Sequence, residues 1–116
     1  PRDINCIFAN ANSTKDADLI ESHAIKTVFR TKVPVTAVKS ILGESVSVAG
    51  GFACIAGLGA LNQGIIPAIA NLQKKDADCD LDYVAGNSRK KDISRVMINT
   101  FGFSGANTSV ILGKYN

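Results

Sequence analysis

The residues of this chain whose types could do chemistry are two carboxamides, a lysine, two carboxylates and one histidine. Asn10 and Asn12 stand in FANANST, residues 8 to 14, where an alternation of Ile4, Cys6 and Phe8 gives way to small polar groups. Lys39 follows the apolar run VPVTAV, residues 33 to 38, and Asp18, Glu21 and the single histidine, His23, lie between the two. A carboxamide donates and accepts hydrogen bonds but does not titrate near neutral pH, so Asn10 and Asn12 can bind and orient without serving as acid or base. A lysine at the end of an apolar strand is either an ordinary surface residue or a partly desolvated one, and in the second case Glu21 or Asp18 would be its counter-charge. His23 falls at helical spacing beside Leu19 and Ile20, which suits a half-exposed structural residue better than a catalytic one.

Other chemistries find little support. Cys6, Cys54 and Cys79 are an odd number, and none is spaced as a metal knuckle or a CxxC pair. They read as reduced, mostly buried thiols of a cytoplasmic protein, with no metal site and no cofactor expected. Gly57-Leu58-Gly59 opens like a dinucleotide fingerprint, but the third glycine is Asn62 and the segment lies inside a helical pattern. The chain has no GxxxxGK[ST], HExxH or GxSxG.

The net charge of +3 is small, and Ser88-Arg89-Lys90-Lys91 lacks aromatic neighbours on which bases could stack. That run is expected to be a solvated loop, with no nucleic-acid partner. The charge-free stretch from Val46 to Leu61 is shorter than the ~20 residues of a spanning helix and dense in glycine, so a helix buried on most sides is expected and no membrane partner. Residues 1 to 15 show no secretory-signal pattern.

These residues must be positioned by a small set of elements. Ile4 to Ala9 reads as a strand, and a helix begins near Asp16 with acids in its first turn. A second strand is expected over Val33 to Val38, and a small-residue helix over 46 to 62 that stops at Gly64 before a turn at Ile65-Ile66-Pro67. Residues 71 to 91 look irregular, and strands at Ser94 to Phe101 and Thr108 to Tyr115 are close enough for a hairpin. The order βαβαββ implies one α/β domain over 1–116, a three-layer α/β/α sandwich with parallel strands and one antiparallel terminal strand.

The phrases FANANST, DADLIESHAI, VTAVKSILGESVSVAGG, GIIPAIANLQKKDADCDLDYVAG and NTFGFSGANTSVILGKY, in that order, resemble the C-terminal portion of a β-ketoacyl-acyl-carrier-protein synthase, a thiolase-like enzyme. The resemblance spans nearly the whole chain, and CDLDYV and NTFGFSGAN are its most specific phrases. It implies an N-terminal half, absent here, that carries a cysteine nucleophile which Cys6, Cys54 and Cys79 do not replace. It also implies two histidines that drive decarboxylation of malonyl-carrier protein. The first opens an HGTxT motif, which falls on Asn10-Ala11-Asn12-Ser13-Thr14, so Asn10 stands in its place. The second belongs to a GH pair, which is Gly43-Glu44 here. The family's lysine persists as Lys39 and its glutamate as Glu21, which the resemblance pairs in the interior. Of two threonines that bind the pantetheine arm, Thr14 remains and Asn12 replaces the other. The phenylalanine that gates the acyl pocket corresponds to Phe103, in a loop reading Gly102-Phe103-Ser104-Gly105.

The resemblance therefore implies a retained frame without its reaction groups. An enolate forms as carbon dioxide leaves, and imidazole donors would stabilise it; Asn10 can only donate a hydrogen bond, and an ionised Glu44 would repel it. The expected role is a non-catalytic partner similar to a chain-length factor in fatty acid or polyketide synthesis, working with an acyl-carrier protein or a synthase-like partner chain in an oligomer. The alternative is a fragment of an active synthase or acyltransferase whose nucleophile lies in the missing half. Family halves carry five strands and this reading supplies four, so an exposed edge is expected at 108 to 115, where the missing strand would sit. Small and apolar residues are expected to be exposed along helix 46 to 62, the face that would meet the missing half.

Overall fold

The computed structural model describes residues 1–30 and 32–115. Its elements are β1 (Cys6–Phe8), α1 (Lys15–Val28), β2 (Pro34–Thr36), a one-turn helix α2 (Lys39–Leu42) and a 3₁₀ turn (Val46–Val48) that leads into α3 (Ala49–Gln63). Five strands follow: β3 (Ile65–Ile66), β4 (Asp82–Tyr83), β5 (Arg89–Lys90), β6 (Arg95–Phe101) and β7 (Asn107–Gly113). The main sheet runs β4-β2-β1-β6-β7; β4, β2, β1 and β6 are parallel neighbours, and β7 returns antiparallel to β6.

Alternation along β1 sets the layers, because successive side chains of a strand leave on opposite faces. Cys6 and Phe8 pack with Ala53, Ala60 and Leu61 of α3, whereas Ile7 and Ala9 pack with Ile25 of α1 and Phe29. The sheet is thus covered on both sides, and the expected α/β/α sandwich is present. Phe8 has no exposed surface, a burial worth about 2–3 kcal/mol. α3 lies close to β6 because position 57 is glycine: a Cβ there would stand 3.2 Å from Val96 Cγ2 and 3.4 Å from Ile98 Cδ1. The helix stops at Gly64, whose left-handed φ of 66° lets its N–H bond Ala60 O.

Three sequence expectations need correction. The sheet already has five strands, because Asp82–Tyr83 lies within the stretch read as irregular and pairs with Pro34–Val35 at the edge opposite β7. No strand is missing beside β7, although β7 is an edge as expected. Ile65–Ile66 is a strand, pairing antiparallel with Arg89–Lys90, so the basic run is not a free loop. Arg89 donates to both oxygens of Asp82 at 2.7 and 3.0 Å, a fork that no hydropathy pattern announces. Finally, only 28% of the residues in segment 46 to 63 are buried, fewer than in a core helix.

Candidate functional site

The C-terminal end of β1 carries Asn10 into the interior, where it is 3% exposed. The chain then leaves through Ala11 and Ser13, both at positive φ (37° and 67°), and turns into α1. Positive φ in residues other than glycine is sparsely populated, so this turn needs external hold. Glu21, one and a half turns into α1 and 4% exposed, provides it: Oε1 accepts from Asn10 N–H at 2.9 Å and Oε2 from Ala11 N–H at 3.0 Å. Oε1 also accepts from Asn99 Nδ2 at 3.0 Å, and Asn99 Oδ1 accepts from Ser109 Oγ at 2.8 Å. A buried carboxylate is tolerable when donors converge on it, and here three N–H groups do.

The Asn10 side chain is fixed by two donors on one oxygen. Lys39 Nζ donates to Asn10 Oδ1 at 2.9 Å and Phe101 N–H at 3.1 Å, so the carboxamide ties the start of α2 to the end of β6. The counter-charge of Lys39 is Glu44, with Nζ 2.8 Å from Oε2, and the hydrogen bond from Lys39 holds the Glu44 carboxyl below its usual range. The expected interior pair of Lys39 with Glu21 does not form: each binds Asn10, Lys39 through the side chain and Glu21 through the backbone. Of the two ends, Lys39 found the carboxylate three-dimensionally nearest to solvent, which costs less desolvation than a buried pair.

The remaining sequence candidates separate from this cluster. Asn12 Oδ1 accepts from Thr14 N–H at 3.1 Å and from Thr14 Oγ1 at 2.8 Å, so the two form a local exposed turn at the start of α1. Phe103 sits in the β6–β7 connection, 82% exposed. His23 is an exposed residue of α1, as its spacing indicated. Asp18 lies one turn before Glu21, and burial pushes its carboxyl above the ordinary value. Asn99 and Ser109 escaped sequence reading. Their only signal was a polar residue on each of two strand-like runs, and the pairing Asn99↔Ser109 needs the hairpin register.

A second feature lies on the α1 face of the sheet. A cavity of about 660 Å³ is floored by Leu19, Ile25, Val35 and Leu81 and bordered by Tyr83 and Lys39. Ser22 Oγ and Tyr83 Oη stand 3.3 Å apart at its wall. Among the described residues no group of three or more His, Cys, Asp or Glu is disposed to hold a metal ion.

The fold is that of a thiolase-like α/β unit, and in it a lysine and a glutamate, Lys39 and Glu21, meet around the end of the first strand. Residues 1–73 match the family model described as beta-ketoacyl synthase, C-terminal domain, and the chain belongs to that family. It is 40% identical over 116 residues to 3-oxoacyl-(acyl-carrier-protein) synthase 2 of Mycobacterium leprae, covering 99% of this chain and 28% of that protein. The chain thus spans a little over a quarter of that relative's length. Among solved structures it superposes on the ishigamide ketosynthase/chain length factor with a TM-score of 0.95 and 36% identity, covering 99% of this chain and 29% of that one. It is also similar to a chain of the structure described as a type II polyketide synthase acyl-carrier protein in complex with its ketosynthase bound to the hexaketide, with a TM-score of 0.93 and 27% identity over 98% of this chain and 29% of that one.

Proposed function

We propose that this chain is the C-terminal part of a non-catalytic ketosynthase-like subunit, cytoplasmic and similar to a chain-length factor, that acts beside a condensing partner in fatty acid or polyketide synthesis. The single observation that carries the reading is the engagement of Lys39. Its ammonium is held between the Asn10 carbonyl oxygen at 2.9 Å and the Glu44 carboxylate at 2.8 Å, the two positions where the family resemblance places histidines. Asn10 turns its acceptor oxygen towards Lys39 and Phe101 N–H, and Glu44 is stabilised in its ionised form by the same lysine. Neither group can shuttle a proton at neutral pH, and a carboxylate disfavours the negative charge that develops when malonyl loses carbon dioxide. Loss of one oxyanion-type donor costs about 100- to 1,000-fold in rate, so loss of both leaves condensation undetectable.

In this reading Glu21 and Asn99 hold the frame, while Asn12, Thr14 and Phe103 stand where a pantetheine arm and acyl chain would pass. The partners are an acyl-carrier protein and a synthase-like chain. The outward side of α3 supports the need for cover: Ile55, Leu58 and Phe52 form an apolar stripe opposite the residues that face the sheet. The three cysteines stand free, compatible with a reducing compartment.

A second reading is favoured by the 40% identity to a relative named as a synthase: the whole protein condenses or transfers acyl groups with a nucleophile outside this chain. One experiment separates the two. The protein is incubated with malonyl-carrier protein, alone and with candidate synthase-like partners, while carbon dioxide release and complex size are followed. Absence of release by the protein alone, with elongation appearing only in a mixture that also forms a complex, is the expected result. Decarboxylation without a partner overturns it in favour of the second reading.

A further inference from the structure

Hydrogen bonds run from the last strand to the end of the first through two side chains. Ser109 Oγ on β7 donates to Asn99 Oδ1 on β6 at 2.8 Å, and Asn99 Nδ2 donates to Glu21 Oε1 on α1 at 3.0 Å. The same carboxylate accepts the N–H groups of Asn10 and Ala11, so it closes the connection onto the strained turn after β1. Ser109 and Asn99 stand directly opposite each other in the hairpin, and side chains so placed leave the sheet on one face. That face is the one α1 covers, and Asn99 is buried in it.

The chemistry of each group dictates the next. An ionised carboxylate only accepts, so Glu21 requires the NH2 end of the Asn99 carboxamide. The oxygen of that carboxamide must then face β7, where it is a buried acceptor in need of a donor. Position 109 is therefore not free to be any small polar residue. We propose that Ser109 is a positioning residue for the Asn10–Lys39 site: its hydroxyl fixes the Asn99 carboxamide, which keeps Glu21 on the Asn10 and Ala11 amides. With that backbone held, Asn10 Oδ1 is aimed at Lys39 Nζ. A side chain without a donor at 109 leaves Asn99 Oδ1 unpaired, and an acceptor-only side chain competes with Glu21 for the NH2 group. The inference concerns how the site is held, and it stands whether or not the subunit condenses acyl groups.

The test reads the far end of the connection. Hydrogen exchange of the protein at its full natural length, followed by mass spectrometry, compares the parent with Ser109→Ala, Ser109→Thr and Ser109→Asp, and with Thr108→Ala at the exposed neighbour on β7. Circular dichroism and thermal melting verify that each is folded; if Ser109→Asp is not, the Ala and Thr variants decide alone. Exchange at the Asn10 and Ala11 amides should rise about two- to tenfold in Ser109→Ala, the effect of one hydrogen bond, and further in Ser109→Asp. Ser109→Thr, which keeps the hydroxyl, should restore the parent rate, and Thr108→Ala should leave it unchanged. In an Asn99→Ala background the Ser109 substitutions should add nothing. A rise confined to the β6–β7 hairpin, an equal rise in Thr108→Ala, or the same increments without Asn99 overturns the assignment, because each is what a purely local effect of β7 on stability would give.

Discussion

The buried end of β1 and the outer side of α3 depart from the usual partition of polar and apolar residues in opposite senses. At the end of β1, a carboxylate and two carboxamides are inside; Glu21, Asn10 and Asn99 are each at most 5% exposed. On α3, Ile55 is 67% exposed and Leu58 50%. The first departure is compensated within the chain, because every contact needed by Glu21 comes from Asn10, Ala11 and Asn99. The second has no compensation among the described residues. The difference teaches that the site cluster satisfies its own polar groups, whereas the helix face leaves apolar side chains uncovered by the described residues.

The strongest way to break the comparison is Glu21→Ala. Three donors would lose their acceptor in the interior, at about 1–3 kcal/mol for each left unpaired and less where the turn relaxes. Urea unfolding should show a loss of about 3 kcal/mol or more, and Glu21→Gln, which keeps one acceptor oxygen, a smaller one. If Glu21→Ala is as stable as the parent, the cluster does not hold the turn through Ala11 and Ser13.

Lys39→Met should cost less, about 1 kcal/mol, because Asn10 Oδ1 keeps the Phe101 N–H and Glu44 can turn to solvent. The same variant sharpens the pH dependence. Glu44 is held below its ordinary value by the Lys39 hydrogen bond, so its contribution is fully present above the ordinary glutamate value and is lost as pH falls through the depressed one. Melting temperatures compared at about pH 6 and about pH 3 should therefore fall less in Lys39→Met than in the parent. An equal fall in both would detach Glu44 from the lysine.

The smallest effect on the chain is expected on the apolar face. Ile55→Ser with Leu58→Ser should leave unfolding within about 0.5 kcal/mol of the parent, since neither side chain is packed against the sheet. Their consequence should appear only in a mixture, as weakened capture by a synthase-like partner in size-exclusion chromatography. A stability loss as large as that of a core substitution would mean that the helix face is already covered by this chain.

Much of this architecture is legible in the sequence. The alternation Ile4, Cys6, Phe8 and the helical spacing from Asp16 located β1 and α1 to within a few residues, and the hairpin of β6 and β7 followed from two strand-like runs around a glycine-containing turn. The polar stretch 71 to 91 concealed β4 and β5. Two-residue strands have no period to detect, and what fixes them is pairing with Pro34–Val35 and Ile65–Ile66 far away in sequence. In the site, residue identity was enough to nominate Asn10, Glu21, Lys39 and Glu44 but not to pair them.

By itself the sequence determined the layered α/β order, the family and the residue types at two positions, a carboxamide at Asn10 and a carboxylate at Glu44. Only the tertiary structure decided that Lys39 meets Glu44 and Asn10, that Glu21 grips two backbone amides, and that Asn99 completes the set from a strand 78 residues away. The physical reason is range. Periodicity and propensity act over a few neighbouring residues, whereas a hydrogen bond is decided within about 3 Å, after strand register and helix packing have brought distant segments together.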